Sequence, residues 1–361
     1  MTTAAHPLII PFFIPHAGCP YTCSFCNQRI ITGVSFSLPD KKQITETIEL
    51  WLQRSPARPA EVAFFGGSFS LLPAVIQRQL LATVEPFLTT GRIAGIRIST
   101  RPDALDQDEL ALLATHGVRT IEIGVQSLDD QVLLLAGRGH TANDSLQALR
   151  RVADAGFTVG AQLLPGLPGE TPETAVQGVK EVIAGGAAFI RIYPVVVLEG
   201  TRLAKLYLSG LYTPPDLATG VLTAARMLHV ALRTGVPVIR IGLQGDDGLS
   251  HKSGVVLAGC WHPALGQLVR GQLYHDLVIK LVANMSELDA PLQLFCAPRN
   301  LSEVQGHGKY NLKRWQQAGL TVNKLEADAQ LGEQQIILKQ LQNKVMGSLI
   351  TDCIYEENFN A

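Results

Sequence analysis

The sequence predicts an α/β protein: a partial (β/α)6 barrel of the TIM type over residues 1–245, followed by a small α/β C-terminal domain over residues 246–361. Three observations predict it. Short apolar runs alternate with longer amphipathic stretches from residue 8 to residue 195, the pattern of β-α-β units and a parallel sheet. The repeats carry no dinucleotide fingerprint, which favours a partial barrel over a doubly wound sheet. The distinctive turns fall just after strands, where the chemistry of such barrels gathers.

In order, Leu8–Ile14 reads as a first buried strand ending at a cysteine-rich loop, and 41–54 as a helix. Glu61–Phe65 is a second strand, followed at once by Gly66-Gly67-Ser68 and a helix over 74–88. Ile96–Thr100 is a third strand, with Arg101-Pro102-Asp103 after it and a helix over 106–116. Thr120–Gly124 is a fourth strand, leading into Val125-Gln126-Ser127 and later a helix over 142–155 closed by Gly156. Phe157–Leu164 is a fifth strand, followed by Pro165-Gly-Leu-Pro-Gly169 and a helix over 172–185. Phe189–Val195 is a sixth strand, and Gln244–Gly248 reads as a linker. In the C-terminal part 264–274 reads as helix and 292–297 as strand, while 336–341 fits strand or helix.

Composition narrows the function classes. Hydrophobic residues make up 47% of 361, ample for a large core, and the formal net charge of −1 gives no overall bias toward nucleic acid. No uninterrupted apolar stretch is long enough to span a membrane, and no targeting segment is evident, so a soluble cytoplasmic protein is the expectation. Ala17-Gly18-Cys19 after an apolar run looks like a lipoprotein cleavage site, but no basic residue precedes the run, and Pro7, Pro11 and Pro15 interrupt it.

The cysteine loop carries the sharpest signal. Cys19, Cys23 and Cys26 are spaced C-x3-C-x2-C, so three thiolates can face one point. A structural zinc site closes with four protein ligands, and a [4Fe-4S] cluster ordinarily takes four cysteines. Three local cysteines therefore suggest a cluster with one iron left open, with Phe25 placed to shield one side. The alternatives are a zinc knuckle completed by His16, and a disulfide framework, for which six cysteines in this length are too sparse.

The turns after the strands supply candidate ligand contacts. Gly66 and Gly67 sit where backbone approaches a ligand or simply makes a tight turn. Arg101 can fork onto a carboxylate or phosphate, or pair with Asp103. Glu122 alternates with Ile121 and Ile123, so it points inward, where a carboxylate needs a donor: a ligand or an arginine. Gln126 and Ser127 add neutral hydrogen-bonding groups at the mouth. Gln162 is a second inward polar group, and Arg191 and Tyr193 share one face of the sixth strand.

The cysteine spacing is that of the radical S-adenosylmethionine (SAM) superfamily, which the chain resembles. The likeness extends through Ser99-Thr-Arg-Pro-Asp103, Ile121-Glu-Ile-Gly-Val-Gln-Ser127, Arg138-Gly-His140, Leu164-Pro-Gly-Leu-Pro-Gly169 and Arg191-Ile-Tyr-Pro194, which resemble the radical SAM domain of the Elongator catalytic subunit, a modifier of the tRNA wobble uridine. Gly124–Ser127 and Gly166–Gly169 are also similar to oxygen-independent coproporphyrinogen oxidases. The resemblance implies a [4Fe-4S] cluster on Cys19, Cys23 and Cys26, and SAM held by Gly66, Gly67, Ser68, Glu122, Gln126 and Ser127. Arg101, Gln162, Arg191 and Tyr193 would support it. The open iron would chelate the methionine moiety, and one electron from reduced ferredoxin or flavodoxin would cleave SAM to a 5′-deoxyadenosyl radical.

Two departures limit the transfer. Elongator has a longer first cysteine spacing, and the residues after 245 are too few for its acetyltransferase domain, so acetyl-CoA-dependent carboxymethylation is not expected. Ser68 also stands where many members carry an acid. The substrate implied is an RNA, tRNA above all. A small metabolite, or a non-catalytic RNA-binding role that keeps the cluster as a structural element, stays open. Cys260, Cys296 and Cys353 are scattered singly, more like buried thiols than an auxiliary cluster. Gly306-His-Gly-Lys-Tyr-Asn311 opens a stretch containing Lys309, Lys313 and Arg314 and invites comparison with a backbone-clamping KH loop, against the plainer reading of a solvated cationic face.

Overall fold

The computed structural model describes residues 7–33, 38–55, 58–243, 249–285, 290–353 and 355. The Gln244–Gly248 linker lies outside them.

The expected alternation is present. Seven parallel strands form one curled sheet in the order β1 (Leu8–Phe13), β2 (Ala60–Phe65), β3 (Gly95–Thr100), β4 (Val118–Gln126), β5 (Thr158–Leu163), β6 (Phe189–Ile192) and β8 (Val238–Ile241). Helices α2 (Lys41–Arg54), α3 (Ala74–Thr89), α4 (Gln107–Thr115), α6 (Ala142–Asp154), α7 (Pro172–Ala184) and α9 (Leu217–Thr234) connect them, with the short α1 (Gln28–Thr32) and α5 (Asp130–Leu135) inserted after β1 and β4. The shape is a partial TIM barrel.

Side-chain alternation separates the two faces. In β1, Leu8, Ile10 and Phe12 are buried in the main apolar core, while Ile9, Pro11 and Phe13 line the inner face. Helix starts are set by their caps. Asp40 with Gln43, Thr141 with Asp144 and Thr171 with Thr174 form reciprocal capping boxes, each worth on the order of 1 kcal/mol. Helix α6 then buries Ala148, Leu149 and Val152, which share the face that packs on the sheet.

The sheet goes one strand beyond the sequence expectation. β6 ends at Ile192, and Val196–Leu198 (β7) leaves the sheet to pair antiparallel with β9 (Val256–Gly259). Helix α8 (Arg202–Leu208) and α9 follow, and β8 closes the edge beside β6. The four-residue β8 contains an arginine, so its apolar run is too short to read as a strand.

Helix α10 (Leu265–Ala283) extends well past the expected 264–274 and packs on α9. Beyond it, β10 (Leu292–Cys296), α11 (Leu301–Gln305), α12 (Tyr310–Gln317), β11 (Val322–Ala327), β12 (Gln335–Gln340) and β13 (Asn343–Ser348) build a four-stranded sheet in the order β11-β10-β12-β13. The ambiguous segment 336–341 is thus an antiparallel strand. One apolar cluster runs through both parts, from Ile10 to Leu338. Cys260, Cys296 and Cys353 are separately buried, and burial pushes their thiols up to about 12, about 11 and about 12. The Gly306–Lys309 turn is closed by Lys309 N donating to Gly306 O, and Asn311 beyond it donates to the carbonyls of Gly271 and Val304. No described helix is long and apolar enough to cross a membrane.

Candidate active site

The cysteine loop leaves β1 and is laced to the turn after β2. Ile14 N donates to Phe65 O, His16 N to Gly66 O, and Ser68 N to Ala17 O. This lacing explains the glycines. A Cβ on Gly67 would sit 2.4 Å from Ala17 O and 2.6 Å from Ile14 O, and one on Gly18, at φ +73, only 2.2 Å from Ser68 O. The close backbone approach that demands glycine at Gly67 is therefore made by the protein's own cysteine loop. Gly66, at φ +89, faces Gln28 Oε1.

Each thiol meets a polar group from a different direction. Cys19 Sγ lies 3.5 Å from Ser68 Oγ, Gln28 Nε2 donates to Cys26 Sγ at 3.5 Å, and Arg138 Nη1 donates to Cys23 Sγ at 3.2 Å. Burial, and then the neighbouring Cys23, push the Cys26 thiol up to about 12. A thiolate there needs a cation to hold it. Phe25 packs into a small apolar cluster with Leu164 and Leu167, and Ser24 bridges Ala136 and Leu203 through its backbone.

The donor set fits a cluster better than a single ion. His16, the candidate fourth zinc ligand, already accepts the Gln28 N–H at Nε2. Among the described residues no three His, Cys, Asp or Glu side chains come close enough to hold one metal ion. An iron–sulfur cube asks less of them, because each thiolate meets a different iron.

All three thiols open onto a cavity of about 1460 Å³ inside the barrel, also lined by Gly66, Gly67, Ser68, Arg101, Gln126, Gln162, Arg191 and Tyr193. The structure thus brings most of the expected set around one space, while Glu122 and Ser127 are buried behind its wall. It also shows how the charged members are spent. Glu122 does point inward and is fully buried. One oxygen accepts from Arg97 at 3.0 Å; the other accepts from Gln162 Nε2 at 2.9 Å and lies 3.1 Å from Arg191 Nε. Arg97, Gln162 and Arg191 thus meet both of its oxygens. Arg101 forks onto Asp103 at 2.9 Å, donates to Arg138 O, and stacks on Tyr21. Arg191 Nη1 donates to the Tyr193 hydroxyl at 3.1 Å.

The neutral mouth residues are held differently. Gln126 takes φ +71, a left-handed backbone rare outside glycine, and stays buried. Ser127 donates to Glu170 Oε1 at 2.7 Å, and Glu170 Oε2 accepts from Gly166 N. Burial pushes the Glu170 carboxyl up to about 7.

Arg138 is the residue that sequence reasoning named only as part of a motif. Nε donates to His140 Nε2, and Nη2 to Gly124 O. Burial, then the Arg138 charge, holds His140 down at about 4, so a neutral imidazole accepts the bond. The one signal available in sequence was a basic residue between two glycines, Gly137 and Gly139, both at positive φ.

Residues 13–182 match the radical SAM superfamily and 187–275 the radical SAM C-terminal domain. The chain belongs to the radical SAM superfamily: it is a radical SAM enzyme, and its cofactors are those of the family, a [4Fe-4S] cluster and SAM. The tRNA uridine(34) acetyltransferase of Dehalococcoides mccartyi is 34% identical over 214 residues, which are 56% of this chain and 46% of that protein. An uncharacterized protein of Methanocaldococcus jannaschii is 28% identical over 209 residues, 56% of this chain and 61% of that one. The archaeal Methanocaldococcus infernus Elp3 shares the fold, with a TM-score of 0.59 at 21% identity over 75% of this chain and 63% of that chain. The chain spans 61% down to 23% of the length of these and other curated relatives.

Proposed function

We propose that Cys19, Cys23 and Cys26 hold the cluster, that Gly66, Gly67, Ser68, Gln126 and Ser127 contact SAM, and that the enzyme modifies a base in tRNA. When bound, the cluster supplies one electron that cleaves the SAM sulfonium, leaving methionine and a 5′-deoxyadenosyl radical. The residues of this chain position the parts. Arg138 sets its guanidinium against the Cys23 sulfur, Phe25 and its apolar neighbours keep water off one side, and the Glu122 network keeps the lumen rigid beneath.

The observation that carries this reading is the opening of all three thiols onto the same cavity as the backbone turns of β2 and β4. The tRNA substrate is supported by the relatives that carry that activity in their names. Reduced ferredoxin or flavodoxin, in the cytoplasm, is the proposed electron source. Residues 1–245 are proposed as the catalytic unit and 246–361 as an accessory unit for substrate. The test is mass spectrometry of nucleosides from the tRNA of cells with and without the gene. Loss of one modified nucleoside is expected; an unchanged nucleoside profile would remove tRNA as substrate.

A further inference from the structure

Six arginines line the barrel cavity: Arg97, Arg101, Arg138, Arg191, Arg240 and Arg270. Four face a carboxylate. Arg97 pairs with Glu61 and Glu122, Arg101 with Asp103, Arg191 with Glu122, and Arg270 with Glu303. Arg138 is spent on Cys23, His140 and Gly124 O. Arg240 differs. Its Nε donates to Gly242 O at 3.1 Å, and neither terminal nitrogen meets an acceptor among the described residues.

The backbone aims this side chain deliberately. The pairing of β6 with β8 shifts register between Ile190 and Arg191, so that Arg191 and Arg240 stand opposite each other. Such bulges re-aim side chains beside active sites. Two guanidinium groups at paired positions of neighbouring strands repel, and among the described residues Arg240 forms no ion pair that would offset this. Tyr193 and Arg240 line the same cavity, and Tyr193 lies two residues beyond the Arg191 that stands opposite Arg240. Its hydroxyl accepts from Arg191 and still has its own hydrogen to give.

We propose that Arg240 and the Tyr193 hydroxyl form an oxyanion subsite that takes a phosphate group of the substrate. The terminal nitrogens offer a planar fork suited to two phosphate oxygens, and the phenol adds a third donor. The subsite rests on the reading of the barrel lumen as the reaction chamber. Its phosphate comes either from an RNA backbone or from a free phosphorylated molecule.

The test uses the full, reconstituted chain with two probes, inorganic pyrophosphate and an unmodified tRNA transcript, for wild type, Arg240→Ala and Arg240→Lys. SAM binding by equilibrium dialysis and thermal unfolding serve as checks that the fold is intact. In Arg240→Ala, pyrophosphate binding is expected to weaken by about tenfold or more, and the slope of log affinity against log salt for the transcript to fall by about one. Arg240→Lys should restore the slope but not the pyrophosphate affinity. Pyrophosphate binding that depends on Arg240, with no transcript binding by wild type, supports the subsite and assigns its phosphate to a small molecule, which removes the tRNA reading alone. Absence of pyrophosphate binding by wild type, or equal binding by Arg240→Ala, overturns the subsite.

Discussion

Arg138 Nη1 lies 3.2 Å from the sulfur of Cys23, a contact between residues 115 positions apart. A guanidinium donating to a thiolate stabilises negative charge on that sulfur, and the added charge of a reduced cluster is felt at the same place. Replacing Arg138 with methionine should therefore make the midpoint potential more negative, on the order of 60 mV for a tenfold change in the one-electron equilibrium. Redox titration followed by electron paramagnetic resonance reads this directly. An unchanged potential would show that the contact does not persist beside iron.

Glu122 holds two cations. Removing one partner of a buried pair leaves an uncompensated charge and costs about 3–5 kcal/mol. Glu122→Gln keeps the shape but leaves Arg97 and Arg191 without that counter-charge. Urea unfolding should show the loss. A variant of native stability that has lost SAM affinity instead would assign Glu122 to the ligand.

Gly67→Ala pushes a Cβ into two carbonyl oxygens of the cysteine loop. The loop must shift, so the expected outcome is low iron content after anaerobic reconstitution, with the core still folded by circular dichroism. Gly178, inside α7 with nothing within 4 Å of a built Cβ, is the control. Gly178→Ala should be neutral or stabilising by up to ~1 kcal/mol and should load iron normally.

Glu170 makes stability depend on pH. Its folded value of about 7 lies above its ordinary 4.5, chiefly through burial. The protonated form is thus favoured in the fold. That contribution is complete below about pH 4.5 and is lost as pH rises through about 7. Glu170→Gln should flatten the pH dependence of the urea midpoint across this window. The same slope in both proteins would place the titration elsewhere.

Much of the fold was legible because it is written locally. The starts of α2 and α7 follow from capping boxes, and the cysteine loop from three cysteines within eight residues. Other features depend on partners far along the chain. Alternation alone places Glu122 inward, but its satisfaction by Arg97, Gln162 and Arg191 joins three strands. The Arg101–Asp103 pair was visible as an option because its members are neighbours. The steric need for Gly67 comes from Ile14 and Ala17 across the sheet, so it read as access for a ligand. Arg138 and Arg240 carried no periodic signal, one sitting in a turn and the other in a short bulged edge strand.

The central claim is that three thiolates hold a cluster with one iron free to take SAM. Its most direct measurement is product analysis after anaerobic reconstitution, dithionite reduction and addition of SAM, beside a Cys23→Ala variant. The expected result is about four irons per chain, with 5′-deoxyadenosine and methionine formed by the wild type and not by the variant. A zinc-filled, colourless protein, or a fully loaded cluster that leaves SAM intact, would contradict it.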